Sequence, residues 1–169
     1  MTDTAAAEPS HNVIARPTGA GRFQAEIAVR GGTIIADEPV EAGGLGSGPT
    51  PYELLSSALA ACTAMTLRLY AERKGWALPA YSVAAAHSVL AGGEDGTPPR
   101  GLFTRNIAFE GKLGGEMEAK LLSIADKCPV HRTLMRGFEI RTNIGSVVPP
   151  LMPEPAQQHE RDMEAACDD

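Results

Sequence analysis

The chain has 169 residues, 43% of them hydrophobic and 21% charged, which is one globular domain by the usual range of about 100–200 residues. Lys and Arg number 15 against 21 Asp and Glu, a net charge of −6, and this argues against nucleic acid or an anionic membrane as an electrostatic partner. Three cysteines, Cys62, Cys128 and Cys167, are too few and too scattered for a secreted disulfide scaffold and fit a cytoplasmic protein with reduced thiols. Residues 1–12 lack the basic start and apolar run of a targeting segment, and no stretch approaches about 18 apolar residues, so no membrane span is expected.

Residues 1–12 are small and polar and read as a disordered tail. Residues 13–148 read as the folded domain. Phe23–Val29 alternates in the manner of a half-buried strand, Arg30-Gly31-Gly32 is a tight turn, and Thr33–Ala36 is the partner strand. Gly43 to Pro49 holds four glycines and reads as a loop. Thr50-Pro51-Tyr52-Glu53 then has the spacing of a capping box with Pro at the first helical position. The helix it opens carries a stripe of Leu55, Ala58, Leu59, Cys62, Met65, Thr66 and Leu69, and Gly75 closes it after Arg73 and Lys74. Tyr81–Leu90 and Leu102–Glu110 alternate and are expected to pair antiparallel across a Gly- and Pro-rich turn. Glu116–Asp126 is a second helix. Cys128-Pro129 starts a short third helix with Cys128 at its N-cap, ended by Gly137, and Phe138–Thr142 reads as a last strand. Residues 149–169, rich in Pro and then in acidic side chains, read as a flexible tail, with a short helix over Glu154–Cys167 as the alternative. The order β, β, α, β, β, α, α, β defines an α+β class with mainly antiparallel sheet.

Three side chains draw attention for chemistry. Cys62 lies inside an apolar helix stripe, where a thiol packs as a small hydrophobe and burial raises its pKa; a reactive role requires a nearby positive charge. Cys128, at a helix N-terminus with His131 and Arg132 in the following turn, has the setting of a lowered thiol pKa, or simply caps the helix. Cys128 and His131 also have the spacing of a metal-ligand pair, but His11, His87 and His159 fall in a tail, a strand and another tail, too dispersed to complete a closed zinc site. Glu53 serves as the N3 residue of the capping box, or as a carboxylate that orients a cation. Cys167 reads as an exposed bystander.

The run Gly48-Pro49-Thr50-Pro51-Tyr52-Glu53-Leu54-Leu55, followed by Ala60-Ala61-Cys62-Thr63 and later by Cys128-Pro129-Val130-His131-Arg132, resembles the OsmC/Ohr family, and its OsmC-like branch more than its Ohr branch. The resemblance implies an intertwined homodimer with interface active sites and a cysteine peroxidase that uses neither haem nor metal. It implies that Cys62 is the peroxidatic cysteine, attacking an organic hydroperoxide to give an alcohol and a sulfenic acid. Cys128 would be the resolving cysteine that condenses with it to a disulfide, and a dithiol reductant, lipoyl-type or a small thiol, would restore both. The family's thiolate-stabilising Arg corresponds to Arg22, with Arg16 the other candidate. Tyr52 stands where the Ohr branch has the Glu that holds this Arg, and Glu53 follows it about 100° further round the helix. The alternative reading keeps the fold and apolar cleft but binds a small hydrophobic ligand or performs other thiol chemistry.

Overall fold

The computed structural model describes residues 13–94, 96–145 and 158–168. The chain forms two compact units, residues 1–50 with 141–156 and residues 51–140 with 157–169.

In the first unit, β1 (Ile14–Pro17), β2 (Ala25–Val29) and β3 (Gly32–Ala36) make an antiparallel sheet in that order. The expected β2–β3 hairpin is present, with Val29 opposite Gly32 and Gly31 at φ 86°, a conformation open to glycine because it has no Cβ. Strand β1 was not foreseen; it pairs Ile14 with Ala28. The glycine-rich loop after β3 is organised by Asp37, which is buried. Its carboxylate accepts hydrogen bonds from the N–H groups of Glu38, Leu45 and Ser47 and from the Ser47 hydroxyl. Burial pushes this carboxyl up, but the Ser47 hydroxyl and the three N–H groups outweigh it and hold Asp37 below its ordinary value.

The second unit is built on α1 (Pro51–Lys74), which starts at the expected proline. Its C-terminus is a Schellman motif: Gly75 N–H donates to Glu72 O, Trp76 N–H donates to Ala71 O, and Gly75 has φ 66°. Among the described residues, α1 is the one helix long and apolar enough by length and composition to cross a bilayer, and here other elements pack on it. Its buried residues are Ser56, Leu59, Cys62, Thr63, Thr66, Leu67, Tyr70 and Ala71. The expected stripe is therefore rotated: Leu55 and Met65 are 45% and 54% exposed. Apolar residues surround most of this helix, so periodicity does not choose one face. Thr63 and Thr66 tolerate complete burial because their hydroxyls donate to the carbonyls of Leu59 and Cys62, at 2.7 and 2.8 Å.

Strands β4 (Tyr81–Leu90) and β5 (Arg100–Phe109) form the predicted antiparallel pair. Tyr81, Val83, Ala85 and His87 of β4 and Phe103, Arg105, Ile107 and Phe109 of β5 alternate as the more buried positions. Helices α2 (Gly115–Lys127) and α3 (Pro129–Arg136) follow as expected. Phe138–Thr142 is not a strand; Phe138 and Ile140 are exposed. The C-terminal segment departs further from expectation. Residues 149–157 lie outside the described residues, but Gln158–Ala166 form α4, with Ala166 and Cys167 buried. Arg73 of α1 clamps this helix through the Glu164 carbonyl and carboxylate and the Asp168 carboxylate. The core joins Leu67, Tyr70, Leu121, Ile124, Ala125 and Cys167, and each fully buried Leu or Ile side chain contributes about 1.5–3 kcal/mol.

Candidate functional site

Cys62 lies midway along α1, and Cys128 is the N-cap of α3, directly before Pro129 at N1. Both are buried, at 3% and 0% exposure, and their sulfurs are 2.9 Å apart as free thiols, beyond a covalent S–S bond of about 2.05 Å. The fold thus brings together the two cysteines singled out in the sequence.

Two thiols this close titrate as a pair, because the first proton lost leaves a thiolate that the remaining S–H can bond and that opposes a second ionisation. The charge falls on Cys128, pulled down to about 5 by the hydrogen bond from Cys62 and, against the cost of burial, by the N–H groups of His131 and Val130 and the Thr63 hydroxyl. Cys128 closes no geometric cap hydrogen bond; the first-turn N–H groups act on its sulfur as oriented dipoles. Cys62 is pushed far up by its bond to Cys128 and by burial.

Two further residues converge on this pair, and neither was among the expected site residues. Arg105 projects from β5 opposite Ala85, a small neighbour in the pair register. Its guanidinium donates to Thr63 Oγ1 at 3.0 Å, to the Ala125 carbonyl at 2.9 Å and to Asp126 Oδ1 at 2.9 Å. It therefore ties the C-terminus of α2, and with it the junction carrying Cys128, to the turn of α1 that carries Cys62. His159 of α4 places Nε2 3.3 Å from Cys62 Sγ. Arg105 was detectable as a charge in the alternating face of a half-buried strand. His159 had only a weak signal, the alternative of a helix in the tail.

Among the other expected residues, Arg22 belongs to the first unit and is exposed, its guanidinium over the Phe23 ring at 5.2 Å. Arg16 is an exposed residue of β1. Glu53 is exposed in the first turn of α1. His131 is half-buried, with Nδ1 3.9 Å from Asp126 Oδ1. Cys167 is buried rather than exposed, its sulfur 3.9 Å from the Thr66 carbonyl, because α4 seats it in the core. Among the described residues, no group of three or more His, Cys, Asp and Glu side chains is arranged to hold a metal ion.

A groove of about 590 Å³ adjoins the site through Leu59 and Arg105. Leu90, Leu102, Phe103, Leu134 and Met135 give it apolar walls, and Arg100, Asp126 and His131 add polar groups.

An α+β fold with two buried, contacting thiols, one at a helix N-terminus, defines a cysteine-pair protein. Residues 44–143 match the model of the OsmC-like protein family, and the chain belongs to that family. No curated protein matches the chain. Solved structures share the fold. An organic hydroperoxide resistance protein OsmC from Legionella pneumophila is 24% identical, with TM-score 0.55, over 77% of this chain and 93% of that one. The organic hydroperoxide resistance protein OhrB of Bacillus subtilis is 21% identical, with TM-score 0.55, over 76% and 91%. An OsmC like protein from Mycoplasma pneumoniae is 20% identical, with TM-score 0.56, over 76% and 89%.

Proposed function

We propose that the protein is a thiol-dependent peroxidase that reduces organic hydroperoxides to alcohols. The observation that carries this reading is the 2.9 Å approach of the Cys62 and Cys128 sulfurs in a buried site. Cys62 sulfur attacks the terminal oxygen of ROOH; the O–O bond breaks, ROH leaves, and Cys62 becomes a sulfenic acid. The Cys128 thiolate, already favoured by the start of α3, attacks that sulfur, expels hydroxide and closes a disulfide. An external dithiol then reduces the disulfide by exchange. The apolar walls of the groove suit an alkyl hydroperoxide better than hydrogen peroxide. Family membership further supports a homodimer, and three scattered cysteines suit work in the cytoplasm.

The test is consumption of cumene hydroperoxide with a dithiol in excess. Cys62→Ser abolishes turnover, and Cys128→Ser leaves a Cys62 sulfenic acid that dimedone traps. A wild-type protein that consumes no hydroperoxide and forms no Cys62–Cys128 disulfide sinks the proposal in favour of a ligand-binding role for the groove.

A further inference from the structure

The peroxidase reading leaves a proton to be moved. Cys62 holds the proton of the thiol pair, yet it must attack as a sulfur nucleophile. Cys128 is a poor place to put that proton, since resolution needs its sulfur as a thiolate, the form that the hydrogen bond from Cys62 and the start of α3 favour. The guanidinium of Arg105 donates to Thr63, Ala125 and Asp126 and has no lone pair to accept a proton.

His159 meets the need by geometry. Its Nε2 lies 3.3 Å from Cys62 Sγ, and the ring is half-buried. The helix that carries it is fixed at its far end, where Ala166 and Cys167 are buried and Arg73 bonds the Glu164 carbonyl at 2.9 Å. His159 lies on α4, outside residues 44–143, the part that matches the family model.

We propose that His159 is a catalytic proton-transfer residue for Cys62. This rests on the peroxidase reading. In the tautomer protonated on Nδ1, Nε2 accepts the Cys62 S–H proton, which turns from the Cys128 sulfur to the imidazole as the Cys62 sulfur attacks the terminal oxygen of the hydroperoxide. An S–O bond forms, the O–O bond breaks, and the alkoxide leaves with the O–O electron pair. The imidazolium returns its proton to the alkoxide, giving ROH and Cys62–SOH. The sulfur is oxidised, the peroxide is reduced, and the histidine ends as it began.

The test uses the full chain with His159→Gln and His159→Ala, reacted with cumene hydroperoxide under rapid mixing and scored for Cys62 sulfenic acid by dimedone labelling. Loss of an acid–base group slows oxidation by about 10²–10⁴-fold, and free imidazole restores part of the rate in His159→Ala. Iodoacetamide alkylation, resolved by peptide, separates chemistry from packing: Cys62 alkylation slows in both variants while Cys128 alkylation does not. An oxidation rate within about twofold of wild type overturns the proposal. So does a loss shared by Cys128 alkylation and not restored by imidazole. If wild type consumes no hydroperoxide, the peroxidase reading falls by itself, and the alkylation arm still decides: slowed Cys62 alkylation upholds His159 as its proton acceptor, and an unchanged rate overturns it.

Discussion

Arg105 links the elements that carry the two thiols. Its guanidinium is largely withdrawn from water, at 12% side-chain exposure, and it spends its donors on a buried hydroxyl, a helix-end carbonyl and a carboxylate. A cation is favoured at the C-terminus of α2 by the helix dipole, and the same cation reaches Thr63 beside Cys62. Arg105→Met keeps the aliphatic stem but leaves the Ala125 carbonyl and the Thr63 hydroxyl without this donor. Its expected cost is about 1–3 kcal/mol, read from the urea midpoint, together with slower closure of the Cys62–Cys128 disulfide after oxidation. A change below about 0.5 kcal/mol, the size of an ordinary surface substitution, with an unaltered disulfide rate would show that α2 and α3 hold Cys128 without it.

At the scale of elements, each unit has a contact that a single substitution or ion pair exposes. In the first unit the loop after β3 returns so closely that a β-carbon on Gly48 would lie 1.9 Å from the Ile35 carbonyl oxygen. That neighbour is backbone within the β2–β3 pair and cannot swing aside. Gly48→Ala is therefore expected to destabilise the unit by about 1–3 kcal/mol, the usual cost of overpacking. The loss should appear as a lowered thermal midpoint and faster exchange of the Asp37 amide, which donates to the Pro49 carbonyl at 3.2 Å. An unshifted midpoint would contradict the close approach. In the second unit α4 is held on α1 by Arg73 and by the burial of Cys167 against Leu67 and Tyr70 in one core cluster.

For the whole molecule, the outward residues of α1 bear on assembly. Leu55 and Met65 are 45% and 54% exposed and lie about 80° apart round the helix, apolar side chains that the partner in the proposed homodimer covers. With the homodimer proposed above, sedimentation equilibrium gives the mass of two chains. Met65→Asp, which places a charge at one of those positions, shifts the distribution toward one chain. A wild type that sediments as a single chain at micromolar concentration, or a variant that stays as dimeric as wild type, counts against a dimer interface on this side of α1.

The sequence by itself determined what local chemistry controls. Pro51 and Gly75 bound α1, Pro129 and Gly137 bound α3 with Cys128 as N-cap, and Arg30-Gly31 turns the hairpin, because caps and turns are decided within a few residues. It also marked Cys62 and Cys128 as the thiols of interest, since their flanking motifs are contiguous. Tertiary structure decided the rest. The buried face of α1 had no local signature, as its apolar residues run round most of the helix. Whether Phe138–Thr142 would pair, and whether Cys167 would be covered, depended on partners distant in sequence. Most of the candidate site's surroundings were of that kind: Arg105 arrives 42 residues after Thr63, and His159 arrives 97 residues after Cys62. Contacts at such separations depend on how the helices and strands pack, and no local pattern records them.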